Sequence, residues 1–401
     1  MEKRPGLTMA VCGAVQGIGG GFAWSVVPVL MPAMAKDLHL SQTMGGLVWG
    51  AAPLGIALSA PVGGALVDRF GVRRTVPVAL LFGALACAAR AFAHDPFVLL
   101  AAMFAFGLHI GLCAPAIPKA LAAHVPIQKL GRANGLTLLC YTLATALTVL
   151  FGATVIAPAL GGWRPVMLVA AAALVLLALL WGAAIREGAQ PARHASAAES
   201  LRLLRDPQLR RLAAMQFFLF GGYLAMLGIL PRALLEAGLP VARVGETIAA
   251  WLGVAAVANF AGPALSDRIR ARRPLLLGGA AVAGLALLGM SLLPISSGVA
   301  MLMVAALGGG SFAPLLLSLP LELPSVGPAR AGAALGLLML VGQIGGFLLP
   351  VATGAAAQHG GLALACAVLA LAHLAILLPA NALQEPSRGD STLPESAPAV
   401  A

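Results

Sequence analysis

The chain has 401 residues, 60% of them hydrophobic and only 10% charged, with a mean hydropathy of +0.95. Charged residues alone make up about a quarter of a soluble domain, so this composition excludes one and points to a polytopic membrane protein. The net charge of +11 does not call for a nucleic-acid partner, because basic residues scattered over short loops between apolar runs report membrane orientation instead.

A membrane-spanning helix takes roughly 20 apolar residues, and the sequence predicts twelve of them. Six runs fall at residues 7–34, 44–66, 76–93, 97–118, 133–157 and 166–185, forming an N-terminal bundle over residues 1–185. The first run is too long for the core of a signal peptide and is expected to stay as a helix. Residues 186–212, rich in Arg and Ala, read as a linker. Six more runs, 213–231, 245–266, 275–294, 299–320, 331–355 and 361–383, form a second bundle over residues 213–383, and 384–401 reads as a disordered tail. Cys12, Cys87, Cys113, Cys140 and Cys366 all lie inside apolar runs without metal-ligand spacing, so they read as packing residues, and neither a metal nor a cofactor is expected.

Twelve spans put both termini on one side. Of the 25 Lys and Arg residues, 20 then fall on the terminal side, and five (Lys36, Arg90, Arg164, Arg232 and Arg243) fall on the other side or its helix ends. The positive-inside rule makes the terminal side cytoplasmic, with the bacterial inner membrane as the expected location.

The two halves are related. Residues 63–74 read GGALVDRFGVRR and residues 262–273 read GPALSDRIRARR, matching at Gly63, Ala65, Leu66, Asp68, Arg69, Arg73 and Arg74 with an offset of 199. At the same offset Pro32 falls on Pro231, Gly111 on Gly310 and Pro115 on Pro314, so corresponding helices are expected to share kinks. Duplicated bundles of this kind are a common plan of secondary transporters.

In the first copy, Gly64, Asp68, Arg69, Gly71, Arg73 and Arg74 resemble the loop signature of the major facilitator superfamily. Val72 departs from it where a further basic residue is frequent, and Arg270 replaces the glycine in the second copy. The resemblance implies an all-α membrane fold of twelve transmembrane helices in two pseudo-symmetric six-helix bundles. It also implies that Asp68 meets the eleventh helix of the other half, latching the cytoplasmic side shut. Gly64, Asp68, Arg69, Gly71, Arg73, Asp267, Arg268 and Glu322 are the candidate gating residues. Glu322 is read as pairing with loop arginines. Pro314, Glu322, Arg330, Gly336 and residues 343–346 (QIGG) are similar to the cyanate and nitrate/nitrite porters and to choline-type carriers.

No acidic residue and no Lys or Arg falls at a helix midpoint, which argues against a buried carboxylate proton carrier and against a strong anion site. Aromatic, amide and imidazole groups remain. Trp24 and Tyr223 are equivalent at the 199 offset, and the candidate substrate-binding residues are Trp24, His109, Tyr141, Tyr223 and Gln343, with Gln16 and Gln216 behind them. Each also has a plain packing role available. His109 is the mid-depth group able to titrate near neutral pH, whereas His373 lies on a helix that the resemblance makes outer scaffold. Trp49 and Trp251 read as interfacial belt residues.

The expected function is a secondary carrier, acting as a monomer in the lipid bilayer and moving a small organic solute by alternating access. The solute is held by aromatic and amide contacts rather than a salt bridge. If protons drive it, they ride on His109, on Glu322 or on the solute. No nucleotide-binding loop is present, and no convergent catalytic group suggests an enzyme. A multidrug or metabolite efflux carrier, and a transport-inactive sensor of the same fold, are the alternatives.

Overall fold

The computed structural model describes residues 5–186, 202–323 and 326–384, and the described residues contain helices and no strands. Most of the linker and nearly all of the tail named above lie outside them. The spans are α1 (Pro5–Asp37), α2 (Gln42–Phe70), α3 (Val72–Ala91), α4 (Pro96–His124), α5 (Gln128–Leu160), α6 (Trp163–Ala184), α7 (Pro207–Glu236), α8 (Val241–Ile269), α9 (Arg273–Leu292) and α10 (Ser297–Glu322), followed by one long apolar segment, Gly332–Asn381. That segment is two helices, α11 and α12. Gly360 (φ −133°, ψ 17°) and Gly361 (φ 63°, ψ −158°) leave helical geometry between them, and only glycine takes the second conformation without strain. The count of twelve therefore holds.

Most spans run beyond their apolar runs because polar caps start them in the interface. The carboxylate of Asp95 accepts from the amides of Phe97 and Val98 (2.8 and 3.0 Å), with Pro96 at the first helical position. Asp206 does the same for Gln208 and Leu209 (2.7 and 3.4 Å), followed by Pro207. This second cap is why α7 begins at Pro207 rather than at 213. It satisfies amides that the helix itself leaves free.

The sequence repeat is also a repeat of contacts. A Cβ on Gly63 would lie 2.7 Å from the Cα of Leu112, and one on Gly262 would run into the backbone of Ser311, which is Leu112 moved by 199. In the reverse direction, Gly111 and Gly310 press on the carbonyls of Ile56 and Ala255 (2.8 and 2.7 Å), again equivalent residues. Glycines thus bring α2 against α4 and α8 against α10 at backbone distance, the usual way to gain packing between helices in lipid.

The turns after these helix pairs correspond as well. Gly71 has φ 78° between α2 and α3, and its counterpart Arg270 is held at φ 54°, ψ 28°. A side chain in the left-handed region costs about 1 kcal/mol or more. Arg270→Gly should therefore raise the thermal midpoint of the purified protein, and Gly71→Ala should lower it. An unchanged or lower midpoint in R270G would mean that the Arg270 side chain contributes more than its backbone costs.

Within the first half, α6 lies along α3, where the Trp181 indole donates to the carbonyl of Val72 (3.0 Å). Arg164 ties three elements together, pairing with Asp37 (3.0 Å) and donating to the carbonyls of Ala91 and Ala93 (2.8 and 2.7 Å).

Candidate functional site

The halves join at the side remote from the termini. There α2 crosses α11, with Gly50 against Phe347 and Gly354 against Gln42, and Gly245 of α8 packs on the backbone of Val149 and Leu150 in α5. A polar latch lies over this junction. Gln42 donates to Glu236 (3.1 Å), Arg232 pairs with Glu236 (2.7 Å) and donates to the carbonyl of Leu40 (3.2 Å), and Thr43 donates to Gln358 (2.6 Å). Beneath it lies a narrow crevice lined by Met31, Gly46, Trp49, Gly228 and Pro350 among others. Among the described residues, the hydrogen bonds and close glycine contacts between the halves lie toward this remote side. A Cβ on Gly131 or Gly135 of α5, or on Gly332 or Gly336 of α11, would meet nothing within 4 Å. The halves are thus held together on the remote side.

Aromatic rings pair on the first two helices of each half. Trp24 of α1 lies against Trp49 of α2, with centroids 5.0 Å apart and tilted by 57°, and Tyr223 of α7 stacks on Trp251 of α8 at 5.6 Å and 21°. Each half thus supplies one aromatic pair from its first two helices. The first pair reaches α7, where the Trp49 indole donates to the Leu224 carbonyl (2.8 Å), next in sequence to Tyr223, and its ring covers Gly228. Phe220 adds a ring 6.3 Å from Tyr223.

The belt reading of Trp49 and Trp251 is therefore corrected. Both are buried, at 1% and 6% exposure. Linear position near a helix end suggested the interface, but Trp49 is covered by Leu224 and Gly228 of the opposite half and Trp251 by Tyr223 of its own. One signal was in the sequence: Trp251 stands three residues from the place equivalent to Trp49, so the pairing of Trp24 with Tyr223 extends to the second helices.

Tyr141, the chain's other tyrosine, lies on α5. It is set there by a glycine-rich stretch of α1 that winds as a π-helix, Val15–Phe22. Gly17, Gly20 and Gly21 of that stretch lie directly on Cys140, Tyr141 and Ala144. Such wide turns are frequent at functional positions. Ser25 donates to Thr145 (3.2 Å), joining the same two helices. On α11, Gln343 has a buried side-chain oxygen without a hydrogen-bond partner, and the neighbouring Gly342 packs on Gln216 of α7.

His109 stands apart from this group. It is 2% exposed, its Nδ1 lies 2.8 Å from the Ala79 carbonyl of α3, and its ring fills the space left by Gly83. Facing a carbonyl, Nδ1 carries the proton and donates. His373, expected on outer scaffold, bonds the Leu369 carbonyl (2.9 Å) and packs on Gly222, beside Tyr223.

The candidate gating residues lie at the terminal side. Asp68 forms an ion pair with Lys119, a buried residue of its own half. The resemblance implies α11 of the other half as its neighbour; Lys119 lies on α4 of its own half and is one of the basic residues on the terminal side. Arg272 bridges Asp267 (2.8 Å) and Glu322 (3.1 Å), linking α8 to α10. Gly64 is buried, Arg69 lies over the Phe70 ring at 5.1 Å, and Arg73 and Arg268 are exposed.

This architecture is that of a known family, the Major Facilitator Superfamily, which matches residues 14–350. The chain belongs to this superfamily. It is 27% identical over 360 residues to the nitrite extrusion protein of Bacillus subtilis strain 168, covering 86% of each chain. It is 26% identical over 365 residues to the probable nitrate/nitrite antiporter NarK1 of Thermus thermophilus, covering 82% of this chain and 80% of that one. In fold it is similar to a bacterial homologue of the human lysosomal transporter Spinster in an inward-facing, occupied conformation, with a TM-score of 0.78, 17% identity and 96% of each chain covered. This major facilitator protein is a multi-pass membrane transporter rather than an enzyme.

Proposed function

We propose that this transporter is a secondary carrier that moves a small organic solute by alternating access, holding it between the Trp24–Trp49 and Tyr223–Trp251 pairs. The observation that carries this reading is that each half supplies an aromatic pair from its first two helices, and that Trp49 of one pair bonds the Leu224 carbonyl next in sequence to Tyr223 of the other. Rocking of one half against the other would open the remote side and close the terminal side around that point. Flat rings favour a solute with a flat or apolar body, and Tyr141 and Gln343 supply groups that would orient its polar end. Nitrite and nitrate, named for two relatives, are small and flat, which agrees with such a site. The charge bias of the loops supports cytoplasmic termini in a bacterial inner membrane, and the junction between the halves then faces away from the cytoplasm. Asp68, Asp267 and Glu322 belong to the gate in this reading, and the protein works as a monomer.

The test is a thermal-shift screen of small solutes followed by flux in proteoliposomes, since a true ligand stabilises the folded carrier. Trp24→Ala, Tyr223→Ala and Trp251→Ala should each weaken the best ligand about 5- to 30-fold, the equivalent of about 1–2 kcal/mol of lost stacking and burial. Unchanged affinity in all three removes the aromatic site. Binding without flux would favour a sensor of the same fold.

A further inference from the structure

Arg90 was placed by its position at a helix end, but its side chain is wholly buried, at 0% exposure. Side chains on a helix incline toward its N-terminus, and Arg90 lies in the last turn of α3, so the guanidinium is carried back into the bundle. There it lies 4.1 Å from the centre of the Phe106 ring, donates to Cys87 Sγ (2.6 Å) and to the Ala23 carbonyl (3.4 Å), and approaches Met103 Sδ (3.7 Å). Its Nε has no partner. Among the described residues no carboxylate comes within ion-pair distance of it, since every ion pair there is formed by another cation. Met103 and Phe106 are about two and three turns into α4, so the charge lies within the apolar layer.

A buried cation without a counter-ion is costly, and the ring, the two sulfurs and one carbonyl offset it only in part. The carbonyl is the informative partner, because Ala23 directly precedes Trp24. The charge therefore stands one peptide group behind the aromatic site. The described acidic residues are at helix ends, so none neutralises it at mid-depth. A positive field in a low-dielectric site repels cations and draws anions.

We infer that the transported solute is an anion, and that Arg90 selects it from behind α1 as a positioning charge without touching it. The inference rests on the aromatic site proposed above and adds the sign of the solute's charge. It also revises the expectation drawn from the absence of arginine at helix midpoints, where only Cα position was available.

The probes are benzoate, benzamide and benzamidinium, three flat solutes of nearly equal shape carrying charges of −1, 0 and +1 at neutral pH. Binding is read by quenching of tryptophan fluorescence in nanodiscs. In the wild-type protein, benzoate should bind at least about tenfold more tightly than either of the others, the equivalent of roughly 1.4 kcal/mol. Arg90→Gln should remove that preference while leaving benzamide affinity within about twofold, and Arg90→Lys should retain most of it. Equal or better binding of benzamide or benzamidinium by the wild type would overturn the inference, a result that needs no variant to fold. So would an unchanged preference in R90Q. If none of the three binds, the aromatic site itself fails and this inference falls with it, whereas binding without charge preference defeats the inference alone.

Discussion

Asp68→Asn should lower flux in proteoliposomes tenfold or more. The substitution acts twice. It removes the negative partner of Lys119, whose side chain is 6% exposed against 24% for Asp68, and breaking a buried pair by deleting one partner costs about 3–5 kcal/mol when both groups are fully buried. With Asp68 about a quarter exposed, the loss of stability should fall at or below the low end of that range. It also removes the carboxylate proposed to engage the other half when the terminal side closes. The double variant Asp68→Asn/Lys119→Met separates the two effects, because it leaves no unpaired lysine. Its thermal midpoint should return close to wild type while its flux stays low, since a gate contact biases conformations without touching the solute. Recovery of both midpoint and flux would reduce Asp68 to a counter-ion and end the gating proposal.

Trp49→Phe tests the junction from the opposite side. The indole N–H of Trp49 bonds a carbonyl of the other half from a position that is 1% exposed. Phenylalanine keeps an aromatic ring against Trp24 but leaves the Leu224 carbonyl without that donor, a loss of about 1–2 kcal/mol. Because the bond spans the two halves, the loss falls on the remote-closed state and should shift the equilibrium toward the remote-open state about 5- to 30-fold. Spin-label distances between α2 and α11 at the remote side should show the longer population increase. An unaltered distance distribution would mean that the bond persists in both states or contributes nothing to the switch.

The two substitutions probe residues that the sequence revealed to different degrees. Asp68 was visible because it recurs as Asp267 at the offset of 199 within a repeated loop. Trp49 was misread, because what buries it is α7 and α11 of the other half, reached through contacts between residues nearly two hundred or more positions apart. The same holds for Arg90. Its place in the last turn of α3 is a fact of the chain, but the direction of its side chain and the packing of Ala23, Met103 and Phe106 around it are facts of three helices together.

By itself the sequence determined the membrane location, the twelve spans, the duplication, and the equivalence of Trp24 and Tyr223 at the offset of 199. These follow from local quantities: the length of apolar runs set against bilayer thickness, and identity at a constant offset. The tertiary structure alone decided which rings come together, that Asp68 pairs with Lys119, and that His109 faces α3. In spans that are apolar on every side, hydrophobic periodicity is too weak to say which face of a helix meets a neighbour and which meets lipid. That choice is made by close approach at residues such as Gly50, Gly63, Gly83 and Gly262, whose partners lie on other helices and leave no mark on the sequence around them.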